Sequence, residues 1–366
     1  MKILHLIYDH MNNPWVGGGG AVRAYEICRR LADRGHEVTV ISGKYPESAD
    51  YREGNLDYRF IGSSRNYLCS TFSYAFRAAG FIKTHGGEFD VIIEDFAPWN
   101  PVFSRFFTGK PVVLHLNHLE GRNILKRWSI AGVPFLLVEQ FYPRLFHFVT
   151  ALSEATREKV NVAGTVVIPA GIGGELLEKG AAPGNGGEGN RILYVGRLHI
   201  KNKGLDTLFT AMEQVDAGLI LVGKGNDEAR LREMAKRLRP GQIEFSGFVS
   251  EEKKVGLLKD GLFLLLPSRF EGWGIVVLEA AACGKPVIVS DIPELKYAVD
   301  AGFGLSFKTG DAKDLAEKMN FLLADKQLRQ EMGTRAREYA RNFTWDRISG
   351  DYEKFLMEIA QQSERA

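Results

Sequence analysis

Two carboxylates and two cations near the ends of predicted strands are the residues best placed to do chemistry. Glu271 follows the apolar run GLFLLLP, and Glu279 lies eight positions later inside the apolar helical segment IVVLEAAAC. A carboxylate buried in a helix is costly without hydrogen-bond donors, so we expect donors around Glu279, and ligand hydroxyls would suffice. Arg197 follows the buried run RILYV and Lys203 precedes a helix, so the two could bind a diphosphate as paired counter-charges.

Glycines stand where the backbone could approach an anion. Gly17 to Gly20 separate the first predicted strand from a helix that begins near Ala21, and such a helix N-terminus exposes unpaired N–H groups. Residues 272–274 lead in the same way into a helix that begins at Ile275. The spacing is not GxGxxG, which disfavours a dinucleotide-dependent oxidoreductase. It also lacks the GK[ST] ending of a nucleotide-triphosphate loop. We therefore predict close approach of a phosphorylated ligand, with a mobile surface loop as the alternative.

Alternating strand and helix patterns must position these residues. Short β-branched runs separated by helix-length segments predict an α/β fold with parallel sheets covered on both faces. The alternation restarts at RILYVGR after a stretch with eight glycines between Gly171 and Gly189. We predict an N-terminal domain over 1–168, a linker over 169–190, a C-terminal domain over 191–344 and an amphipathic helix over 345–366. The strand ends of the two sheets would then surround one cleft, where ligands bind in such folds.

Composition excludes several classes of protein. The chain has 366 residues, with 47 Lys and Arg against 45 Asp and Glu, so a formal charge of +2 provides no field that would gather nucleic acid. Cys28, Cys69 and Cys283 are far apart and odd in number, which predicts neither a disulfide framework nor a zinc site and favours a reducing, cytoplasmic compartment. The start MKILHLIYDH is typical of a strand rather than a signal peptide, and no apolar stretch reaches the length of a membrane span.

The motifs together resemble a known family. They are the glycine loop after the first strand, GRL followed by KG, the turn VGKG, the segment FEGWG with the two glutamates eight positions apart, and the following GKPVIVSD. This combination is similar to the retaining GT-B glycosyltransferases of family four over almost the whole chain, most specifically over 191–291. The resemblance implies two Rossmann-like parallel-sheet domains that face each other across a cleft, with the C-terminal helix over 345–366 packing back on the N-terminal domain. It also implies hexosyl transfer from a nucleoside-diphosphate sugar to an acceptor hydroxyl.

The resemblance also assigns roles to individual residues. Glu271 would contact hydroxyls of the donor sugar, Glu279 the ribose of the nucleotide, and Arg197 and Lys203 the diphosphate. The base would lie beside the segment FSGFV. Further donor contacts, largely from the backbone, would come from Gly18, Gly19, Gly247, Phe248, Gly272, Trp273, Gly274 and Ile275.

A histidine near the sugar and the acceptor is common in this family after the PVV strand. Here PVVLHLNHLEG offers His115 and His118, while Asn117 aligns with the family's histidine. We assign the role to His118 because it falls in the loop after the strand, and we predict that His115 is a core residue. The predicted catalytic residues are therefore Glu271, His118, Arg197 and Lys203.

The resemblance implies retention of anomeric configuration without a metal or a cofactor. The chain contains no Asp-x-Asp triplet, so Arg197, Lys203 and helix N-termini would stabilise the leaving diphosphate. No carboxylate is offered as a nucleophile beneath the sugar, which favours a same-face route in which the diphosphate helps take the acceptor proton. Two alternatives stay open: a nucleotide-sugar 2-epimerase of the same fold, and a non-catalytic nucleotide-sugar-binding protein.

The sequence leaves the base, UDP or GDP, and the acceptor open. Residues 70–83, 101–110 and 132–148 interleave aromatic and basic side chains. These segments fit either the buried faces of ordinary helices, which we favour, or peripheral contact with the inner face of a membrane that holds a lipid-linked acceptor.

Overall fold

A computed structural model of the chain describes residues 1–16, 18–121, 123–181 and 190–365. They form two compact units, one made of residues 1–170 and 345–366 and the other of residues 171–344. The predicted boundaries at 168, 191 and 345 lie near these divisions. The predicted linker over 169–190 differs, because most of its described residues belong to the second unit.

The first unit is built on an eight-stranded sheet, within the described residues, in the order β3-β4-β2-β1-β5-β6-β7-β8. All neighbours are parallel except β3 and β4, which pair antiparallel. The central strands are almost wholly buried, as expected for a parallel sheet covered on both faces. The strands are β1 (Lys2–Leu6), β2 (Glu37–Gly43), β3 (Tyr51–Glu53), β4 (Leu56–Ile61), β5 (Val91–Asp95), β6 (Val112–Leu116), β7 (Phe148–Ala151) and β8 (Val166–Val167).

Two sets of helices cover the two faces of this sheet. Side chains of alternate strand positions, such as Leu4 and Leu114, share one core with Tyr74 and Tyr142 from helical segments. The opposite face carries His5, whose Nδ1 lies 3.0 Å from the Cys28 sulfur on a helix. The helices are α1 (Gly19–Asp33), α2 (Tyr67–His85), α3 (Asn123–Trp128), α4 (Val133–Phe141), α5 (Glu154–Val160) and, at the end of the chain, α15 (Trp345–Arg365), with 3₁₀ helices at Gly86–Glu88, Ser104–Phe106, Ser129–Gly132 and Tyr142–Leu145.

The second unit is built on a parallel sheet in the order β11-β10-β9-β12-β13-β14. The order reverses direction at β9, and open α/β sheets bind ligands beyond the carboxyl ends of the strands at such a point. The strands are β9 (Arg191–Val195), β10 (Gly218–Val222), β11 (Ile243–Gly247), β12 (Leu264–Leu266), β13 (Val287–Ser290) and β14 (Gly304–Phe307). Its helices are α6 (Gly174–Ala181), α7 (Ile200–Lys203), α8 (Leu205–Met212), α9 (Glu228–Ala235), α10 (Glu251–Asp260), α11 (Ile275–Ala282), α12 (Lys296–Asp300), α13 (Ala312–Ala324) and α14 (Lys326–Ala340), with a 3₁₀ helix at Pro293–Leu295.

Part of the glycine-rich stretch predicted as linker is helical. Gly174 and Gly180 lie in α6, which packs on α10 and α11. A side chain at Gly180 would collide with the backbone of Ala282, so this glycine serves close packing rather than chain flexibility. Four other glycines of the predicted linker, Gly184, Gly186, Gly187 and Gly189, lie outside the described residues.

Two parallel α/β sheets in two units confirm the predicted fold class. Among the described residues no helix is both long and apolar enough to span a bilayer. Cys28, Cys69 and Cys283 are all unpaired, and Cys28 and Cys283 are buried.

Candidate functional site

Glycines bring the loops after β9 and β10 against each other at the switch point of the second sheet. The Gly196 amide donates to the Val222 carbonyl at 2.9 Å, and the Leu198 amide donates to the Lys224 carbonyl at 2.9 Å. A β-carbon at Gly223 would collide with the Gly196 carbonyl, and one at Gly225 with the Leu198 backbone. Only glycine allows this approach, so the VGKG motif fixes the loop that carries Arg197.

Arg197 extends from this loop into solvent. Its carbonyl accepts a hydrogen bond of 2.8 Å from the hydroxyl of buried Tyr194, which holds the backbone at the strand end. Within the described ranges no carboxylate forms an ion pair with the Arg197 guanidinium, which is exposed. Its five N–H donors are therefore available to an anion.

Lys203 and Glu271, predicted to serve one ligand, are in direct contact. The Lys203 ammonium forms an ion pair with Oε1 of Glu271, and the Ser268 hydroxyl donates to the same oxygen at 2.8 Å. Both side chains are largely buried, with 21% of the lysine and 12% of the glutamate exposed. No described residue bonds to Oε2 of Glu271, so that oxygen is the one left for a ligand hydroxyl.

Arg269 holds the two halves of this pair in place, and the sequence reasoning missed it. Its amide donates to the Asn202 carbonyl at 2.9 Å, and its guanidinium binds Asp206 and Thr207 at the start of α8. These bonds tie the loop before Glu271 to α7, which ends at Lys203. An arginine two residues before Glu271 was visible in the sequence, but no local pattern indicates its distant partners.

Glu279 is neutralised by a lysine from a neighbouring helix. Lys254 of α10 lies 2.8 Å from Oε1 of Glu279, and the two side chains are 14% and 16% exposed. Burial raises the pKa of Glu279, although the charge and hydrogen bond of Lys254 oppose the shift. The expected donor thus exists within the protein, and the sequence reasoning missed it because residues 25 positions apart on different helices leave no local signal.

The segment from Gly272 to Ile275 forms the N-terminus of α11 as predicted from the motif. Gly274 is the N-cap, with a φ of 72° that favours glycine, and no side chain caps the helix. The Trp273 ring is 7% exposed and stacks on Tyr297 at 4.5 Å, while the Tyr297 hydroxyl donates to the Trp273 carbonyl at 3.1 Å. Trp273 therefore contributes backbone to this site, and its ring belongs to the core.

Gly247 and Phe248 end β11 at the same edge of the sheet. The Gly247 carbonyl accepts from the Gly223 amide at 2.8 Å, and Gly247 has a φ of 66°. The Phe248 side chain is 81% exposed. An aromatic ring held in solvent at this edge offers a surface on which a planar ring could stack.

In the first unit, two of the predicted loop glycines begin a helix. Gly18 is the N-cap of α1 and Gly19 its first residue, two positions before the predicted start at Ala21. No side chain caps this helix, so its first N–H groups have no side-chain partner. Gly17 lies outside the described residues. The N-terminus of α1 is thus exposed backbone, as the anion-binding hypothesis requires.

The three polar residues around β6 differ in their environment. His115 is fully buried in β6, with Nδ1 2.9 Å from the Thr150 hydroxyl, which confirms a core position. His118 is exposed in the loop after β6. Asn117 donates from Nδ2 to Oδ2 of Asp95 at 3.0 Å, and it contacts the position where Gly20 would carry a side chain.

Asp95 also forms a buried ion pair with His5 at 2.9 Å. Burial lowers the pKa of His5, but the charges and hydrogen bonds of Cys28 and Asp95 outweigh it and raise the pKa to about 10. Burial raises the pKa of Asp95, but the charge and hydrogen bond of His5, aided by Arg23, lower it to about 2. The sequence reasoning missed this pair, because the strand pattern identifies His5 as a core position and says nothing of a partner on β5.

The structure thus assembles two groups of predicted residues, each within its own unit. In the second unit Arg197 and Glu271 lie on loops at the carboxyl ends of β9 and β12, Lys203 is the last residue of α7, and Glu279 lies in α11. No cluster of three His, Cys, Asp or Glu suited to a metal ion occurs among the residues described.

Two family models match successive parts of the chain: Glycosyltransferase Family 4 over residues 17–173 and Glycosyl transferases group 1 over residues 178–339. The fold, the loops at the switch point and these matches define the chain as a glycosyltransferase. It belongs to the GT-B glycosyltransferases of family four.

Relatives of this chain carry glycosyltransferase names. An uncharacterized glycosyltransferase of Methanocaldococcus jannaschii is 30% identical over 53% of this chain, and the chain spans about half of that protein's length, 54%. Phosphatidyl-myo-inositol mannosyltransferase of Mycolicibacterium smegmatis is 26% identical to this chain. The match covers 91% of this chain and 88% of the mannosyltransferase.

Solved structures show the same fold. Sucrose-phosphate synthase of Thermosynechococcus elongatus has a TM-score of 0.82 at 22% identity and covers 98% of both chains. Anabaena HepE in complex with UDP-glucose has a TM-score of 0.75 at 20% identity. The match covers 98% of this chain and 100% of the HepE chain.

Proposed function

We propose that the protein transfers a hexosyl group from a nucleoside-diphosphate sugar to an acceptor hydroxyl, with retention of anomeric configuration. One observation carries the proposal: the Lys203 and Glu271 ion pair lies at the same edge of the sheet as Arg197, whose guanidinium has no carboxylate partner among the described residues. Cations at this place suit a diphosphate, and a carboxylate beside them suits sugar hydroxyls, so the pair fits both halves of one donor.

Donor binding would exchange partners within the pair. In the structure the Lys203 ammonium forms an ion pair with Glu271. A diphosphate brings more negative charge, so Lys203 would turn to it together with Arg197. Glu271 would then keep its bond from Ser268 and accept hydroxyls of the sugar. The loss of one ion pair would thus be offset by contacts that only a complete donor provides.

The same cations would lower the barrier to transfer. As the bond from the anomeric carbon to the diphosphate breaks, negative charge grows on the leaving oxygen, and donors already aimed at it stabilise the transition state. The N-terminus of α11 after Gly274, which no side chain caps, would add backbone N–H groups. The acceptor would attack from the face that the diphosphate leaves, and the diphosphate would take the acceptor proton.

The remaining predicted residues take secondary roles in the proposal. Glu279 would bind the ribose through the oxygen that Lys254 leaves free, and the base would lie beside Gly247 and Phe248. His118 and the backbone at Gly18 and Gly19 would serve the sugar and the acceptor. UDP or GDP is the nucleotide, and a HepE structure at 20% identity holds UDP-glucose.

The acceptor is proposed as a glycan, a lipid-linked sugar or a small molecule, and the named mannosyltransferase relative acts on a lipid, phosphatidyl-myo-inositol. We propose a cytoplasmic location at the inner face of a membrane. The three unpaired cysteines fit a reducing compartment.

A thermal-shift panel of UDP- and GDP-sugars, followed by product analysis, tests the proposal. One nucleotide series should raise the melting temperature, and the stabilising donor should yield a glycosylated product only when an acceptor is present. Interconversion of the donor without acceptor would identify the 2-epimerase. Stabilisation without turnover over a broad acceptor panel would identify a binding protein. No stabilisation by either series would contradict all three.

A further inference from the structure

Large apolar side chains are exposed on α2 and α4 of the first unit. Leu68, Phe72 and Phe76 of α2 are 63, 62 and 83% exposed, and they recur every fourth residue along one side of the helix. The interpretation of residues 70–83 as an ordinary buried helix face is therefore wrong for Phe72 and Phe76. Tyr74 and Ile82 of α2 do enter the core, so the helix is apolar on two sides, one packed and one free.

The second helical segment shows the same arrangement. Val133, Leu137, Phe141 and Leu145 are 40 to 56% exposed and again recur every fourth residue. More exposed apolar residues lie between and beside the helices: Phe103, Phe106, Phe107, Trp128 and Ile130. Monomeric proteins rarely expose so many large apolar side chains without a binding partner.

These side chains lie on one side of the unit because their helices cover the same face of the sheet. Tyr74 of α2 and Tyr142, which follows α4, belong to one core with alternate residues of the sheet. Buried Glu94 fastens the intervening segment to that core, since it accepts from the Tyr142 hydroxyl at 2.7 Å and from the Ser104 amide at 3.2 Å. We call the resulting surface, made of the exposed side chains of 65–83, 103–110 and 128–145, the apolar-basic face.

The charge of this face is of one sign. Residues 61–87, 98–115 and 121–149, the segments that include this face, contain nine Lys or Arg and a single acid, Glu139, and six of the nine cations lie within the face itself. Glu139 is buried and accepts from the Glu120 amide at 2.8 Å and from the Gly121 amide, so its charge is used inside the fold. The six of these cations whose side chains the structure describes form no salt bridge with any described residue: Arg65, Arg77, Lys83, Arg105, Lys110 and Arg144.

From this combination we infer that the apolar-basic face docks on the surface of an anionic phospholipid bilayer. Aromatic and aliphatic side chains interleaved with Lys and Arg bind at the boundary of headgroups and acyl chains, and each cation near an anionic surface adds attraction. A second copy of the chain is the poorer occupant, because a two-fold contact would set two faces of equal positive charge against each other.

The inference does not rest on the proposed transfer reaction, since docking requires only the first unit. Docking would place the first unit on the surface of the bilayer and not across it. It would also provide a source of acceptor. A bilayer would present lipid-linked hydroxyls at high local concentration to the bound protein. Docking and transfer can therefore be tested, and can fail, separately.

Flotation of the full chain with vesicles tests the docking. Vesicles of phosphatidylcholine with about 30% phosphatidylglycerol should carry the protein at low salt, and pure phosphatidylcholine should carry about tenfold less. Two double variants, Phe72→Ser with Phe76→Ser and Arg77→Glu with Arg144→Glu, should each reduce the bound fraction on anionic vesicles by about tenfold or more.

Matched variants in the second unit serve as controls. Phe321→Ser removes an aromatic ring that is 54% exposed, and Arg230→Glu reverses an exposed cation. Both should float like the unchanged protein. The melting temperature and its increase with the stabilising nucleotide sugar should be the same for all four variants, which separates loss of docking from loss of fold or donor binding.

Three results would overturn the inference. The first is absence of flotation with anionic vesicles at low salt. The second is flotation that neither double variant weakens. The third is a protein that does not bind vesicles but forms a dimer, and that becomes a monomer in the double variant Phe72→Ser with Phe76→Ser. That result would make the apolar-basic face a contact between copies of the chain.

Discussion

The Lys254 ammonium lies 2.8 Å from Oε1 of Glu279 and also contacts Glu251 one turn earlier on its own helix. Burial lowers the pKa of Lys254, but the charges and hydrogen bonds of Glu279 and Glu251 outweigh it and raise the pKa. The lysine thus stays charged and makes a carboxylate tolerable in the middle of the apolar helix α11. The site needs this neutralisation before any ligand arrives.

Removal of that lysine should cost stability. Lys254→Met leaves the Glu279 carboxylate largely buried without a counter-charge, so we expect the free energy of unfolding to fall by about 1–3 kcal/mol. Urea denaturation measures the change. Lys253→Met is the control, because Lys253 is exposed at the adjacent position and should be neutral. Equal effects of the two substitutions would show that the pair contributes nothing.

The two cations near the donor should be needed for transfer. Lys203→Ala and Arg197→Ala remove charges proposed to stabilise the leaving diphosphate, so kcat/KM should fall by about 10²–10³ for each. Lys201→Ala, an exposed lysine of the same helix α7, is the control and should keep near-normal activity. Steady-state rates with the stabilising donor measure the effect. Unchanged turnover in both site variants would contradict the proposed function.

Two glycines of the second unit should respond to alanine in opposite directions. A β-carbon at Gly225 would collide with the Leu198 backbone, so Gly225→Ala should destabilise the protein by about 1–3 kcal/mol and displace the loop that carries Arg197. At Gly256, inside α10, a β-carbon meets nothing within 4 Å, and Gly256→Ala should stabilise by about 0.5–1 kcal/mol. Thermal unfolding compares the two, and stabilisation by Gly225→Ala would refute the packing argument.

Stability should fall as pH rises because of His5. Its pKa of about 10 in the folded chain exceeds the ordinary value of 6.5, so its contribution is complete below pH 6.5 and is lost as pH rises toward 10. The free energy of unfolding should therefore decrease between about pH 7 and 9, by at most about 1.4 kcal/mol per unit.

The His5→Gln variant should lack most of this slope and be less stable at pH 6. His85→Gln, an exposed histidine at the end of α2, should keep it. Urea titrations at several pH values provide the measurement. A slope that persists in His5→Gln would assign it to other groups.

Transfer should not depend on a metal. Arg197 and Lys203 are proposed to supply the positive charge on the diphosphate, so EDTA should leave the rate unchanged within about twofold. The control adds magnesium or manganese after EDTA. A loss of tenfold or more that either ion restores would show that the diphosphate needs a metal.

The sequence was sufficient for features that depend on local pattern. Buried β-branched runs identified the strands, and the order of strands and helices identified two α/β units. The positions of Arg197 and Glu271 after strands followed from the same pattern, because the end of a strand is a local property.

Contacts between distant segments could not be predicted from the sequence. Lys254 and Arg269 each act through partners on other elements, and nothing local distinguishes them from surface residues. The aromatic rings of α2 show a second limit. Phe72 and Tyr74 are equally apolar in the sequence, but only Tyr74 faces the core. A helix with two apolar sides has no polar stripe that would indicate which side packs.

The division of the chain affects the order in which the protein can be made. Helix α15 packs on α1, yet the ribosome synthesises it after the whole second unit. The first unit therefore stays incomplete until that unit has emerged and had time to fold. The second unit has no such delay, because its first and last segments meet, with the Ile172 amide donating to the Phe343 carbonyl at 2.8 Å. A chain that ends at residue 344 would therefore contain a complete second unit and an unfinished first unit.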